Sequence, residues 1–315
     1  METVRFDFPL KTSPFDFIVK EKATYEEGEN FFLYLLVKRN LNSNDPEIIS
    51  FLKREGVKVY GYAGLKDRYA LTVQHVSLDH FIGKKRIVKK PGKFFAFLYL
   101  KRIRSKIKTG ALLGNRFFIN HRNRLFFTLP FSLNYYDSQR LGKNVARGRR
   151  LLKETPSKRS WERIFWINSY QSFLWNLTAF ELLRRKIEEF NRTRGFKVLK
   201  PVRVEEGKVF HILPYSKDRE ALFEFYKSLV GIRIPLVGYK VRFTPEVKLI
   251  VKKLLGKGGV SLEDFKRWRL KGDYRPLVVE VSGIKRYPKS LRFFLPKGAF
   301  ATVYIKQLWL NELDL

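Results

Sequence analysis

The sequence predicts an α+β protein in which a strand-rich frame is interrupted by a helix-rich insertion. Three observations carry that expectation. Strand patterns dominate residues 1 to about 128, helical patterns with a 3.6-residue period fill about 130 to 272, and strand patterns return near the C-terminus. The expected domains are residues 1–129 with 273–315, and an insert at 130–272.

The elements follow in order. The apolar run NFFLYLLVKRN (30–40) reads as a buried strand. A helix follows in NDPEIISFLKREG, with Asp45 as N-cap, Pro46 at the first helical position and Gly56 just past the end. VKVYGYA and ALTVQHVSL read as strands flanking a short connection, and KFFAFLYLKRI and NRFFINH as two more. Beyond Pro130 the pattern changes. SQRLGKNVARGRRLLKE reads as a basic helix, and NSYQSFLWNLTAFELLRRKIEEF as a long amphipathic one, with Phe173, Leu177, Phe180, Leu183, Ile187 and Phe190 at helical spacing. TPEVKLIVKKLLG runs from Thr244 and Pro245 to Gly256, and SLEDFKRWRL opens with a Ser261–Asp264 capping box. PLVVEVSGI and SLRFFLP are the returning strands.

Composition narrows the function. The 315 residues include 29 Phe and 15 Tyr, ample for a core. The absence of Cys excludes disulfides, thiolate catalysis and Cys-ligated metals, and the four His show no metal-site spacing. With no apolar stretch of membrane-spanning length and no signal-like N-terminus, a cytoplasmic protein without a membrane partner is expected. Absent Cys and a single Met lean toward a heat-adapted source. Charge is the strongest signal: 64 Lys plus Arg against 30 Asp plus Glu, net +34. Self-repulsion at that level calls for a polyanion. Between Asp79 and Asp137 there is no acidic residue, and cations there interleave with Phe94, Phe95, Phe97 and Tyr99. This reads as a phosphate groove with aromatic platforms, with Lys101, Arg102 and Arg104 lining it, and composition does not choose RNA over DNA.

GYAGLKDRYALTVQ (61–74) sets Asp67 between Lys66 and Arg68 at the tip of a connection between strands. Asp67 is either a turn residue with solvated charges or a carboxylate that two cations keep ionised. The stretch resembles the signature of the TruD family of pseudouridine synthases. So do KTSPFDFIVKE, GNRFFI, NYYDSQRLG and LPKGAFATVYIKQL, in the family's order, while NSYQSFLWN is similar to part of the family's inserted domain. These segments run from residue 11 to residue 308.

The resemblance implies a mixed-sheet catalytic core with a family-specific insert, and isomerisation of a tRNA uridine, typically at position 13. It implies no metal and no cofactor. By motif, Asp67 falls on the catalytic aspartate, and Phe17, Asn115, Phe117 and Phe300 fall on substrate-pocket positions. Lys11, Lys66, Arg68, Gln74 and Arg140 are expected to support the site or contact RNA, Arg140 with Arg147, Arg149 and Arg150 on the basic helix. The family form NYFGxQRFG differs here at Tyr136, Asp137 and Leu141, which bears on the path of that loop. A monomer acting on tRNA is expected. The alternative is an RNA-binding or RNA-chaperone protein on the same fold without catalysis.

The chemistry suits these residue types. Uridine becomes pseudouridine when N1–C1′ breaks, the uracil turns over and C5 joins C1′. An ionised carboxylate beside the sugar can attack C1′ or take a proton from C2′. The nucleotide must leave its stack, and an aromatic ring gives the base a surface to rest on.

Overall fold

The computed structural model describes residues 1–122, 124–156 and 160–315. The strands are β1 (Glu2–Arg5), β2 (Phe17–Lys22), β3 (Glu27–Arg39), β4 (Tyr60–Tyr62), β5 (Leu71–Leu78), β6 (Lys85–Lys90), β7 (Lys93–Ile103), β8 (Gly114–Asn120), β9 (Phe131–Leu133), β10 (Lys200–Glu206), β11 (Val209–Tyr215), β12 (Arg233–Leu236), β13 (Asp273–Pro276), β14 (Val278–Glu280), β15 (Ser282–Arg286) and β16 (Ser290–Pro296). The helices are α1 (Pro46–Arg54), α2 (Lys143–Lys153), α3 (Trp161–Arg194), α4 (Arg219–Ser228), α5 (Pro245–Gly258), α6 (Leu262–Arg267) and α7 (Ala301–Leu310).

The chain forms two compact units. One holds Phe8–Phe126 with Val281–Gly298 and contains a large mixed sheet in the order β15-β16-β8-β2-β5-β3-β7-β6, with β4 added on β5. Only β2 and β5 pair in parallel along this sheet, since a hairpin joins neighbours antiparallel and a crossover is needed otherwise. Helix α1 covers one end of the sheet, burying Ile48, Phe51 and Leu52 against Leu36, Val76 and Phe97. Each such side chain contributes roughly 1.5–3 kcal/mol. Asp45 caps α1 by accepting the Glu47 N–H at 3.2 Å, as its sequence predicts.

The second unit holds Met1–Asp7, Phe127–Glu280 and Ala299–Leu315. Helices α2 and α5 pack on α3, which begins at Trp161 after the N-cap Ser160, seven residues before the expected start at Asn168. Gly148 lets α2 approach α3 closely, for a Cβ there would sit 2.0 Å from the Trp166 carbonyl oxygen. The helix α2 begins at Lys143 rather than Ser138, because Asp137–Leu141 form a turn and Gly142 precedes the helix at φ +79°.

These units divide the chain at different points from the sequence boundaries at 129/130 and 272/273. Residues 1–7 join the helical unit because β1 pairs in parallel with β10, Val4 opposite Val204. Helix α7 joins it because Gln307 donates to the Phe131 carbonyl, and the tail after α7 because Tyr215 donates to that of Leu313. Both attachments are long-range pairings that local periodicity does not report.

The acid-free run is not acid-free in space. Lys101 and Arg102 on β7, and Arg104 just after it, pair with Glu27 and Glu29 of β3 and with Glu26 just before it, at 2.8, 2.6 and 2.8 Å. Lys90 and Lys93 likewise share Glu47. The three cations expected to line a phosphate groove thus have carboxylate neighbours, which antiparallel pairing brings in from some 75 residues away.

Candidate active site

The large sheet builds the site by alternation. On a strand, every second side chain faces the same way. Register aligns Lys38 of β3 with Thr72 of β5, Val19 of β2 with both Thr72 and Phe117 of β8, and Phe117 with Phe293 of β16. Glu21 pairs with Asn115 on the same face, two residues along. One face of the sheet thus presents Lys38, Gln74, Glu21, Asn115, Phe17 and Phe117.

Asp67 lies on the loop between β4 and β5, its side chain 16% exposed. Lys11, not a sequence neighbour, holds it: Nζ lies 3.1 Å from Oδ2. Lys66, expected to do this, turns the other way. Its Nζ donates to Asn115 Oδ1 at 2.9 Å and pairs with the buried Glu21 carboxylate at 2.7 Å. Arg68 is exposed. The expected pairing of Asp67 with its two flanking cations is corrected: Lys66 is held by Glu21 and Asn115, Arg68 is exposed, and the cation that reaches Asp67 is Lys11.

Behind the loop stands Lys38, fully buried. Its ammonium donates to the Leu41 carbonyl at 2.7 Å and to the Asp67 carbonyl at 3.1 Å. Burial pulls the Lys38 pKa down to about 7, with the Asp67 and Asp45 carboxylates opposing. Ser43 completes the support, donating to Gln74 Oε1 at 2.6 Å and accepting the Lys66 N–H at 3.3 Å. Glu21 is also sequestered. Burial raises its pKa, but the His75 hydrogen bonds and the Lys66 charge outweigh that and hold it below its ordinary value. It stays ionised, as the anchor of Lys66.

The rings are more enclosed than a stacking platform requires. Phe17 is 1% and Phe117 6% exposed. Lys11 sits 4.3 Å from the Phe17 ring centre, Phe17 meets Phe117 edge-on at 5.9 Å, and Phe117 stacks on Phe293 at 5.3 Å. Asn115 is half-buried, and its carbonyl oxygen is taken by Lys66. The amide N–H groups then remain as the donors it can offer a uracil carbonyl.

The structure thus brings Lys11, Phe17, Lys66, Asp67, Gln74, Asn115 and Phe117 together in one unit. Phe300 and Arg140 belong to the other. Phe300 is half-buried before α7, with its ring 6.0 Å from Tyr136. Arg140 lies 5.1 Å over the Phe165 ring, and its Nε donates to Ser172 Oγ at 3.4 Å. Sequence reasoning passed over Lys38, Glu21 and Ser43. The one available signal was a Lys at the end of an apolar strand run. It also passed over Tyr69, 49% exposed on the Asp67 loop.

The departure at Asp137 has a partner. Asp137 is buried and pairs with Lys306 at 3.0 Å, while the Thr302 hydroxyl donates to its other oxygen. Lys306 also reaches Glu206 at 2.7 Å. Burial opposes the charge, but His211, Lys306 and Thr302 together hold the Asp137 carboxyl at about 2. The carboxylate therefore ties its turn to α7 within this unit instead of facing RNA.

Comparison with known proteins gives a consistent result. The model of the family described as tRNA pseudouridine synthase D (TruD) matches residues 2–158 and 159–308. The chain is 30% identical to a Thermus thermophilus protein named tRNA pseudouridine synthase D, over 95% of this chain and 88% of that one. It is 29% identical to a protein of the same name from Helicobacter acinonychis, over 96% and 93% of the two. Among solved structures, a crystal structure from Methanosarcina mazei, described as a candidate tRNA pseudouridine synthase D, superposes with TM-score 0.55 at 20% identity, covering 98% of this chain and 95% of that one. It shares the fold.

Proposed function

The chain belongs to the tRNA pseudouridine synthase D (TruD) family and converts uridine to pseudouridine in tRNA, and on that premise we propose that Asp67 is the carboxylate that acts on the sugar. The observation that carries this reading is the state of Asp67: partly exposed, bound through Oδ2 to Lys11, its main chain tethered from behind by Lys38. Oδ1 is left to meet a ribose. Two routes are open to it, attack at C1′ or removal of the C2′ proton, and both need the ionised form. Lys11 is the cationic partner of the other Asp67 oxygen, at 3.1 Å.

Asn115, fixed by Lys66, donates to the uracil edge, and the Phe17–Phe117 pair forms the apolar wall beside it. The target is the uridine at position 13 and the enzyme acts as a monomer in the cytoplasm, both supported by the family alone. No helix among the described residues is long and apolar enough to cross a membrane. The names of the relatives favour an enzyme over a binding protein without catalysis.

The test is Asp67→Asn, which preserves shape and removes charge. Tritium release from [5-³H]uridine-labelled tRNA reports turnover, since C5 loses its hydrogen on joining C1′. Release should fall by at least roughly 10³-fold with tRNA affinity retained. Wild-type release by a folded Asp67→Asn protein overturns the assignment.

A further inference from the structure

The face of the large sheet opposite Asn115 and Phe117 carries cations that have no carboxylate partner among the described residues. Along β8, Asn115 and Phe117 face one way, and Arg116 and Phe118 the other. The register sets Arg116 opposite Phe294 and Phe118 opposite Arg292, so cation and ring alternate across the strand pair. Lys22 from β2 and Lys285 from β15 close the two sides, and a groove of about 360 Å³ lies between them.

Each ring is flanked by charge. Lys22 lies 5.6 Å from the Phe294 ring centre and Arg292 5.0 Å from that of Phe118. A shift of register between Ser282 and Lys285, with Gly283 at φ +60°, bends the edge strand beside the groove. Bulges at sheet edges re-aim side chains and block further strand pairing.

All four cations are exposed. The β7 cations have glutamate partners, whereas Lys22, Arg116, Lys285 and Arg292 have no ion pair among the described residues. Like charges gathered on one surface repel, and a bound polyanion relieves that repulsion. Cations that track phosphates, beside rings on which bases stack, are the two components of a single-strand site. A duplex offers phosphates but no free base faces to such rings.

We propose that this groove is a second RNA-binding site, taking the phosphates of an unpaired stretch with a base against Phe118 or Phe294. The inference rests on RNA being the substrate. It adds a contact surface on the far side of the sheet from Asp67, so the RNA passes an edge of the sheet to engage both.

The test compares two triple charge reversals of equal net effect in the full chain. One is Lys22→Glu, Arg116→Glu, Arg292→Glu in the groove. The other is Lys101→Glu, Arg102→Glu, Arg104→Glu at the end of β7. Binding of unmodified tRNA is measured across a salt series. The groove variant should lose at least tenfold in affinity, and its slope of log affinity against log salt should shrink by roughly 2, at about 0.7 per single-strand contact. The β7 variant should change much less. Equal effects of the two, or an unchanged slope in the groove variant, overturn the proposal. Should charge reversal prevent folding, the corresponding Gln substitutions are read in the same way. Phe118→Leu adds an independent arm: affinity for oligouridine should fall roughly tenfold and affinity for a duplex of equal length should hold. Equal loss for both ligands, or none for oligouridine, counts against stacking and overturns the single-strand assignment. Tritium release separates this from the Asp67 reading. An unaltered groove slope with release lost in Asp67→Asn removes the groove alone, and an altered slope with wild-type release by Asp67→Asn removes the Asp67 reading alone.

Discussion

At the scale of the residue, Asp67 is governed by two lysines with different tasks. Lys11 holds a carboxylate oxygen at 3.1 Å, and Lys38 holds the main-chain carbonyl from the buried side. Lys11→Met should leave the fold intact and slow turnover roughly 10–100-fold, since a charge partner is lost at the reacting group. Turnover at the wild-type rate would show that Asp67 needs no cation. Lys38 makes a prediction about pH. Its folded pKa, about 7, lies below its ordinary 10.5, so between these values the unfolded chain holds a proton that the folded chain has released. Stability from this group therefore rises with pH from about 7 to 10, by about 1.4 kcal/mol per unit. Urea unfolding of wild type and Lys38→Met over that range should diverge accordingly, and parallel curves would refute the shift. Gly64 supplies a third prediction. A Cβ there meets no atom within 4 Å, so Gly64→Ala should change stability by less than about 0.5 kcal/mol. If that space admits RNA, turnover still falls. Unchanged kinetics would leave the glycine without a part in the reaction.

At the scale of the element, the Asp137 turn and α7 depend on each other. Lys306 is fully buried, with Asp137 and Glu206 as its counter-charges. Removing one member of a buried pair strands the other, so Asp137→Ala should cost about 3–5 kcal/mol, read from the unfolding midpoint. A loss below 1 kcal/mol would show that Glu206 suffices. The folded pKa of Asp137 is depressed from 3.8 to about 2. Its contribution is complete above about pH 4 and is lost as pH falls toward 2, a difference of about 2 kcal/mol that the Ala variant should lack.

At the scale of the whole molecule, charge is the outstanding property. A net charge of +34 is self-repulsive, and raising monovalent salt from low to moderate concentration screens it. The melting temperature of the free protein should therefore rise with salt, and rise further with tRNA at low salt. A melting temperature that falls steadily with added salt would mean that the glutamate pairs on β3 and β7 outweigh the general repulsion. The distribution of that charge is decided by pairing: the β7 cations are matched to glutamates, while Arg116 and Arg292 are not.

The sequence by itself determined what rests on local pattern or a contiguous motif. The α1 cap at Asp45, the strand Lys93–Ile103, the long helix around Phe173–Phe190 and the loop carrying Asp67 are all legible, because period, caps and spacing are properties of neighbouring residues. The motifs also carried the family. Tertiary structure decided which charges meet. Lys11 reaches Asp67 across 56 residues, Lys66 reaches Asn115 across 49 and Lys306 reaches Asp137 across 169. The packing of each unit sets those meetings, for Lys11 and Asp67 lie on loops and Lys306 reaches the Asp137 turn from α7. No window of the sequence contains both partners, so a cation beside Asp67 in the chain could be read as its partner while the true one came from elsewhere.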